Sequence, residues 1–88
     1  MAELIYHVEI SSGINAKINS KHGVSADEVR EVCYGRREDR WHTHRKHGRR
    51  LLVVGNTRSG RTLKIILHPI DRQQGRWRLK TAIAEKRR

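Results

Sequence analysis

The chain has 88 residues, 20 of them Lys or Arg against nine Asp or Glu, a formal charge of +11 with six histidines counted as neutral. With 35% hydrophobic residues, two Trp, two Tyr and no Phe, it makes one small domain that buries roughly 60% of its unfolded surface, which excludes a large enzyme with a deep apolar pocket. No apolar run nears the ~18–20 residues of a membrane span, no succession of charged, apolar and small residues marks a secretory signal, and the lone Cys33 cannot close an internal disulfide, so a soluble cytoplasmic protein is expected.

Leu4 to Ile10 is rich in β-formers and reads as a short strand. Ile14, Lys17, Ile18 and Lys21 fall at helical spacings, with Ser11 or Ser12 as cap and Gly23 as terminator, which predicts a helix over 12–22. Ser25-Ala26-Asp27-Glu28 is a capping box that starts a second helix over 26–34, whose inward stripe is Val29, Val32 and Cys33. Cys33 reads there as a small buried apolar residue. A basic loop follows over 36–50. Arg50–Gly55 and Arg61–His68 form a hairpin around Asn56-Thr57-Arg58-Ser59-Gly60, and Pro69 is expected to end the second of these strands. After a turn at 71–75, Arg76–Lys80 alternates as a third strand, Trp77 and Leu79 on one side and Arg76, Arg78 and Lys80 on the other. The last segment, 82–88, is helix-prone. The expected order is β-α-α-β-β-β-α, an α+β domain in which two N-terminal helices pack on a small antiparallel sheet.

The charge is unevenly placed. Residues 1–35 carry a net −2, residues 36–50 a net +5, residues 51–71 a net +2 and residues 72–88 a net +6. A polyanion is the physical partner for such clusters, because each phosphate neutralised by Lys or Arg releases condensed counterions; solubility alone is the plainer role. In the 36–50 run, Arg36, Arg37, Arg40, His44, Arg45, Lys46 and Arg49 are candidates for backbone phosphates. Trp41 either stacks on a base or anchors the loop to the core. His42, His44 and His47 with Cys33 fit no zinc spacing, and the neighbouring arginines repel a dication, so no metal site is expected.

Lys21 and His22 end the first helix, where an imidazolium is favoured as an acid or phosphate partner; ordinary C-terminal capping is the alternative. Arg61, Arg76, Arg78 and Lys80 form a cationic floor if they share one sheet face. Such a floor stabilises the charge that develops when a ribose 2′-hydroxyl attacks the adjacent phosphate, a reaction that needs no metal. The alternative is a solvated face, where Arg and Lys are common.

Lys21-His22-Gly23-Val24-Ser25 leading to Glu28 and Val32, Gly55-Asn56-Thr57 and Gly60-Arg61-Thr62-Leu63 around the hairpin, and Ala82 with Glu85-Lys86-Arg87 together resemble the BrnT family of bacterial type II toxins. That family is in turn similar to the RelE-like ribonucleases. The likeness spans roughly residues 12–88. It implies a RelE-like fold and a metal-independent ribonuclease that cleaves messenger RNA and arrests growth. It also implies neutralisation by an acidic cognate antitoxin, with operator DNA bound only through that complex. By position it makes His22, Lys21, Arg61 and Lys80 the catalytic candidates, with Arg76 and Arg78 beside them on RNA. Where the family favours Ile-Ser-Ala-Arg on the third strand, this chain has Trp77-Arg78-Leu79-Lys80, and lysine lacks the bidentate fork of arginine. A non-catalytic nucleic-acid-binding module fits the charge as well, and an assembly protein on ribosomal RNA or an acidic partner is a third class.

Overall fold

The computed structural model describes residues 3–85. Strand β1 (His7–Glu9) is followed by helices α1 (Ser12–His22) and α2 (Ala26–Tyr34), then by β2 (Arg37–His44), β3 (Gly48–Asn56), β4 (Thr62–Asp71) and β5 (Arg76–Ala84). Five strands make one mixed sheet in the order β1-β5-β4-β3-β2, with β1 parallel to β5 and the other neighbours antiparallel.

Both helices begin and end as their residue types dictate. Ser11 Oγ accepts from Ile14 N at 3.2 Å, and Gly23 closes α1 in the left-handed region at φ 62°, where only glycine is unstrained. At α2 the capping box is complete: Glu28 N donates to Ser25 Oγ at 3.1 Å and Ser25 N donates to Glu28 Oε1 at 3.0 Å. The stripe Val29, Val32 and Cys33 is fully buried, as expected, against Leu51, Val53, Leu63, Ile65 and Leu67 of the sheet, with Ile18 of α1, Trp77 and Leu79 completing the core.

Four expectations need correcting. The 36–50 segment is a β-hairpin rather than a loop, because β2 pairs with β3 from Arg37↔Gly55 to His44↔Gly48. Residues 82–84 continue β5 instead of starting a helix, since Ala82 and Ala84 pair with Ile65 and Leu63 and packing there outweighs intrinsic propensity; residues 86–88 lie outside the described part. Pro69 does not end β4, which runs on to Asp71; pairing with β3 has stopped at Leu51↔Leu67, so the missing N–H interrupts no ladder on that side. The sheet is mixed rather than antiparallel.

The segment before β1 ties the sheet together. Glu3 N donates to Asp39 Oδ2 at 2.8 Å, Arg37 donates to the Glu3 carbonyl, and Trp77 Nε1 donates to the Leu4 carbonyl at 2.8 Å. Gly75, at φ 69°, lets this segment pass: a Cβ there would lie 2.8 Å from both Leu4 Cγ and Tyr6 N.

Candidate nucleic-acid interface

Because side chains alternate across a strand, the register assigns each residue to a face. The helices take the face of Leu51, Val53, Ile65, Leu67, Trp77 and Leu79. The opposite face, uncovered by the described helices, carries Leu52, Val54, Ile66 and Ile83 near its middle, and a polar row crosses it at one end. His42 pairs with Arg50 across β2 and β3, His68 pairs with Arg78 across β4 and β5, and Arg78 pairs with Glu9 of β1. Arg50 and His68 stand one step beyond the last β3–β4 pair, Leu51↔Leu67. Lys80 is the extra residue of a bulge: Ile66 pairs with Thr81 and Leu67 with Leu79, so Lys80 faces no partner, and a bulge is a common way to re-aim a side chain.

These groups sense each other. Burial, and then the charges of Arg50, Lys80 and Arg78, hold the His68 imidazole below its ordinary pKa. Its Nδ1 and the neighbouring Arg50 Nε are shielded from solvent without a hydrogen-bond partner among the described residues. His47, in the β2–β3 turn, is lowered by desolvation and then by Arg50, His44 and Lys80. Glu9 lies 3.5 Å from Arg76 and 3.9 Å from Arg78 and so fixes the β1 end of the row. An imidazole held below its ordinary pKa beside three cations has the make-up of a candidate base next to a candidate anion site.

The residues singled out by sequence divide between the two faces. Arg76, Arg78 and Lys80 do share the open face. Arg61 instead turns to the helices: its Nη1 donates to the Gly23 carbonyl at 3.0 Å and to Glu28 Oε1 and Oε2 at 3.0 and 2.8 Å. It therefore clamps the α1–α2 corner beside Lys21 and His22, and the sheet separates that corner from Lys80. His22 is half-buried and Lys21 exposed in the last turn of α1.

Within the hairpin, Arg40 faces outward opposite Leu52, His44, Arg45 and Lys46 occupy the turn region, and Arg36 is exposed before β2. Arg37 is committed to Asp39, at 3.6 Å, and to Glu3. Trp41 anchors the hairpin. Its ring centroid lies 5.8 Å from that of Trp77, and the guanidinium groups of Arg49 and Arg72 sit 4.4 and 4.7 Å above it, where a base would have to stack. His44 and His47 rings lie 4.6 Å apart, yet no three His, Cys, Asp or Glu among the described residues converge as metal ligands. Burial pushes the Cys33 thiol up to about 12, which leaves it unreactive.

Sequence reasoning missed Arg50 and His68. The alternation Arg50-Leu52-Val54 and Lys64-Ile66-His68 carried the signal, but only the pairing of β3, β4 and β5 brings the two residues together. No protein-family model, no curated protein and no solved structure matches the chain.

Proposed function

We propose that the protein is a metal-independent endoribonuclease, the toxin of a BrnT-like, RelE-like type II pair, which holds single-stranded RNA on the open sheet face. The observation that carries the reading is His68 among Arg50, Arg78 and Lys80 on the face without helices. Because Nδ1 is shielded, the role of base falls in this reading to Nε2. The imidazole takes the proton of a ribose 2′-hydroxyl, the 2′-oxygen bonds to phosphorus, and the bond from phosphorus to the 5′-oxygen breaks. The products are a 2′,3′-cyclic phosphate and a 5′-hydroxyl that collects its proton from water. Arg50, Arg78 and Lys80 stabilise the negative oxygens of the transition state.

In this reading Lys21, His22 and Arg61 support the fold around the α1–α2 corner. An acidic antitoxin offsets the +11 charge, and the protein acts in the cytoplasm; none of the described helices is long and apolar enough to cross a membrane. Induced expression tests the toxin claim, with growth arrest and RNA decay expected. Normal growth with intact RNA would overturn it.

The separation of Lys80 from the Lys21–His22–Arg61 corner favours a second reading, a nucleic-acid-binding module without catalysis. It is distinguished by salt-dependent RNA retention with no product over time.

A further inference from the structure

At the other end of the sheet from His68, a concavity of about 1050 Å³ lies between the C-terminus of α2 and the facing ends of β2 and β3. Its wall holds Tyr34, an aromatic residue 48% exposed, whose hydroxyl accepts from Val8 N at 3.3 Å. Arg30, Arg36, Arg37 and Arg58 line the same cleft. The Arg36 guanidinium has no partner among the described residues, and Arg37 Nε is shielded without an acceptor. Glu31, Asp27 and Glu38 are interspersed with them. Glu31 Oε1 is held by Arg58 N at 2.9 Å.

Three carboxylates among four arginines, beside the negative end of a helix, suit a ligand that both carries an anion and donates hydrogen bonds better than a bare anion. A nucleotide is such a ligand. Its phosphate takes Arg36 or Arg58, its base stacks on Tyr34, and the amino hydrogens of adenine, cytosine or guanine find acceptors in Glu31, Glu38 and the terminal carbonyls of α2. Along β3, Gly55 at this cleft is five residues from Arg50, about 17 Å at strand rise. Gly55 turns toward Val32 of α2 while Arg50 belongs to the open face, so an RNA strand that reaches both places rounds the end of the sheet.

We infer that this cleft is a base-selective nucleotide subsite for the same RNA strand, favouring an amino-bearing base over uracil. The inference rests on the RNA reading above and goes beyond it by placing specificity away from the cleaved bond.

The test is backbone-amide NMR of the full chain titrated with AMP, CMP and UMP, followed by short oligoribonucleotides. AMP and CMP are expected to shift Tyr34, Gly35, Gly55 and Asn56, with UMP weaker and longer strands tighter. Tyr34→Leu should weaken binding about fivefold or more, as loss of a stacked base does. Arg36→Gln, at an exposed residue whose guanidinium has no partner among the described residues, should weaken it without touching the fold. Shifts confined to the His68 end, equal binding of UMP, or no gain from a longer strand would overturn the subsite. An RNA that is cleaved while the cleft stays silent would sink this inference and leave the nuclease reading standing.

Discussion

His68 and Arg78 are register partners on β4 and β5, side by side on the sheet face that the described helices leave bare. The pairing sets a titratable ring and a guanidinium together on rigid strands rather than on loops, which favours fixed geometry. Arg50 from β3 and Lys80 from the β5 bulge complete the group. The positions of Arg50, His68 and Arg78 follow from strand register and that of Lys80 from the bulge, whereas Arg61, one residue before β4, belongs to the opposite side through Glu28.

Arg61 is therefore expected to matter for stability and little for chemistry. Arg61→Ala removes bonds to Glu28 and to the Gly23 carbonyl from a partly exposed site, a loss of about 1 kcal/mol. Glu28→Ala also dismantles the capping box and should cost about 1–2 kcal/mol. Thermal unfolding and activity per folded molecule check this. A large fall in activity for well-folded Arg61→Ala would restore Arg61 to the catalytic group.

The pH dependence has a definite sign. His68 is held below its ordinary value of 6.5, so the folded protein binds that proton less readily than the unfolded chain. Its contribution to stability is complete above 6.5 and is lost as pH falls below it. The acid limb of cleavage is accordingly expected below 6.5. Arg50→Gln, which removes the leading charge acting on His68, should move that limb upward. A wild-type limb above 6.5, or no upward shift in the variant, contradicts the arrangement.

The two tryptophans should report on folding rather than on RNA. Trp77 is fully buried, and Trp41 packs on it beneath Arg49 and Arg72. Saturating RNA is expected to leave tryptophan emission nearly unchanged, and strong quenching would place a base on Trp41 after all. Trp77→Ala should cost about 3–5 kcal/mol, much of the stability of a small domain.

Binding should weaken with salt. If Arg40, Arg50, Arg78 and Lys80 each neutralise one phosphate, log affinity should fall with log salt at a slope of about −3 for single-stranded RNA. Each Gln variant at these positions should lower the slope by about 0.7, while Lys21→Gln should not. The reverse pattern, measured by fluorescence anisotropy across a salt series, would move the RNA to the helical corner.

Much of this fold was legible in the chain, for identifiable reasons. Ser11, Gly23 and the Ser25–Glu28 capping box announce both helices because caps are local chemistry. Trp77 and Leu79 alternate with Arg76, Arg78 and Lys80, and that strand lies as the pattern says. The strand that carries Trp41 was illegible because half of its residues are charged, Trp41 is its one large apolar side chain, and it gains its conformation from pairing with β3. The parallel seat of β1 beside β5 joins elements some seventy residues apart, a distance at which no local pattern speaks. Part of the open-face group was visible in Arg78 and Lys80. His68 looked like the end of a strand because Pro69 follows it, and Arg50 stood at the junction of the expected basic loop and the expected strand Arg50–Gly55.

The central claim is tested most directly by incubating single-stranded RNA with the purified protein in EDTA and identifying the ends of the products, for wild type and His68→Asn in parallel. Wild type is expected to release fragments ending in 2′,3′-cyclic phosphate and 5′-hydroxyl. His68→Asn should still bind RNA while cleaving it about 100-fold or more slowly. RNA left intact by wild type, or cleaved at the same rate by His68→Asn, would contradict the assignment.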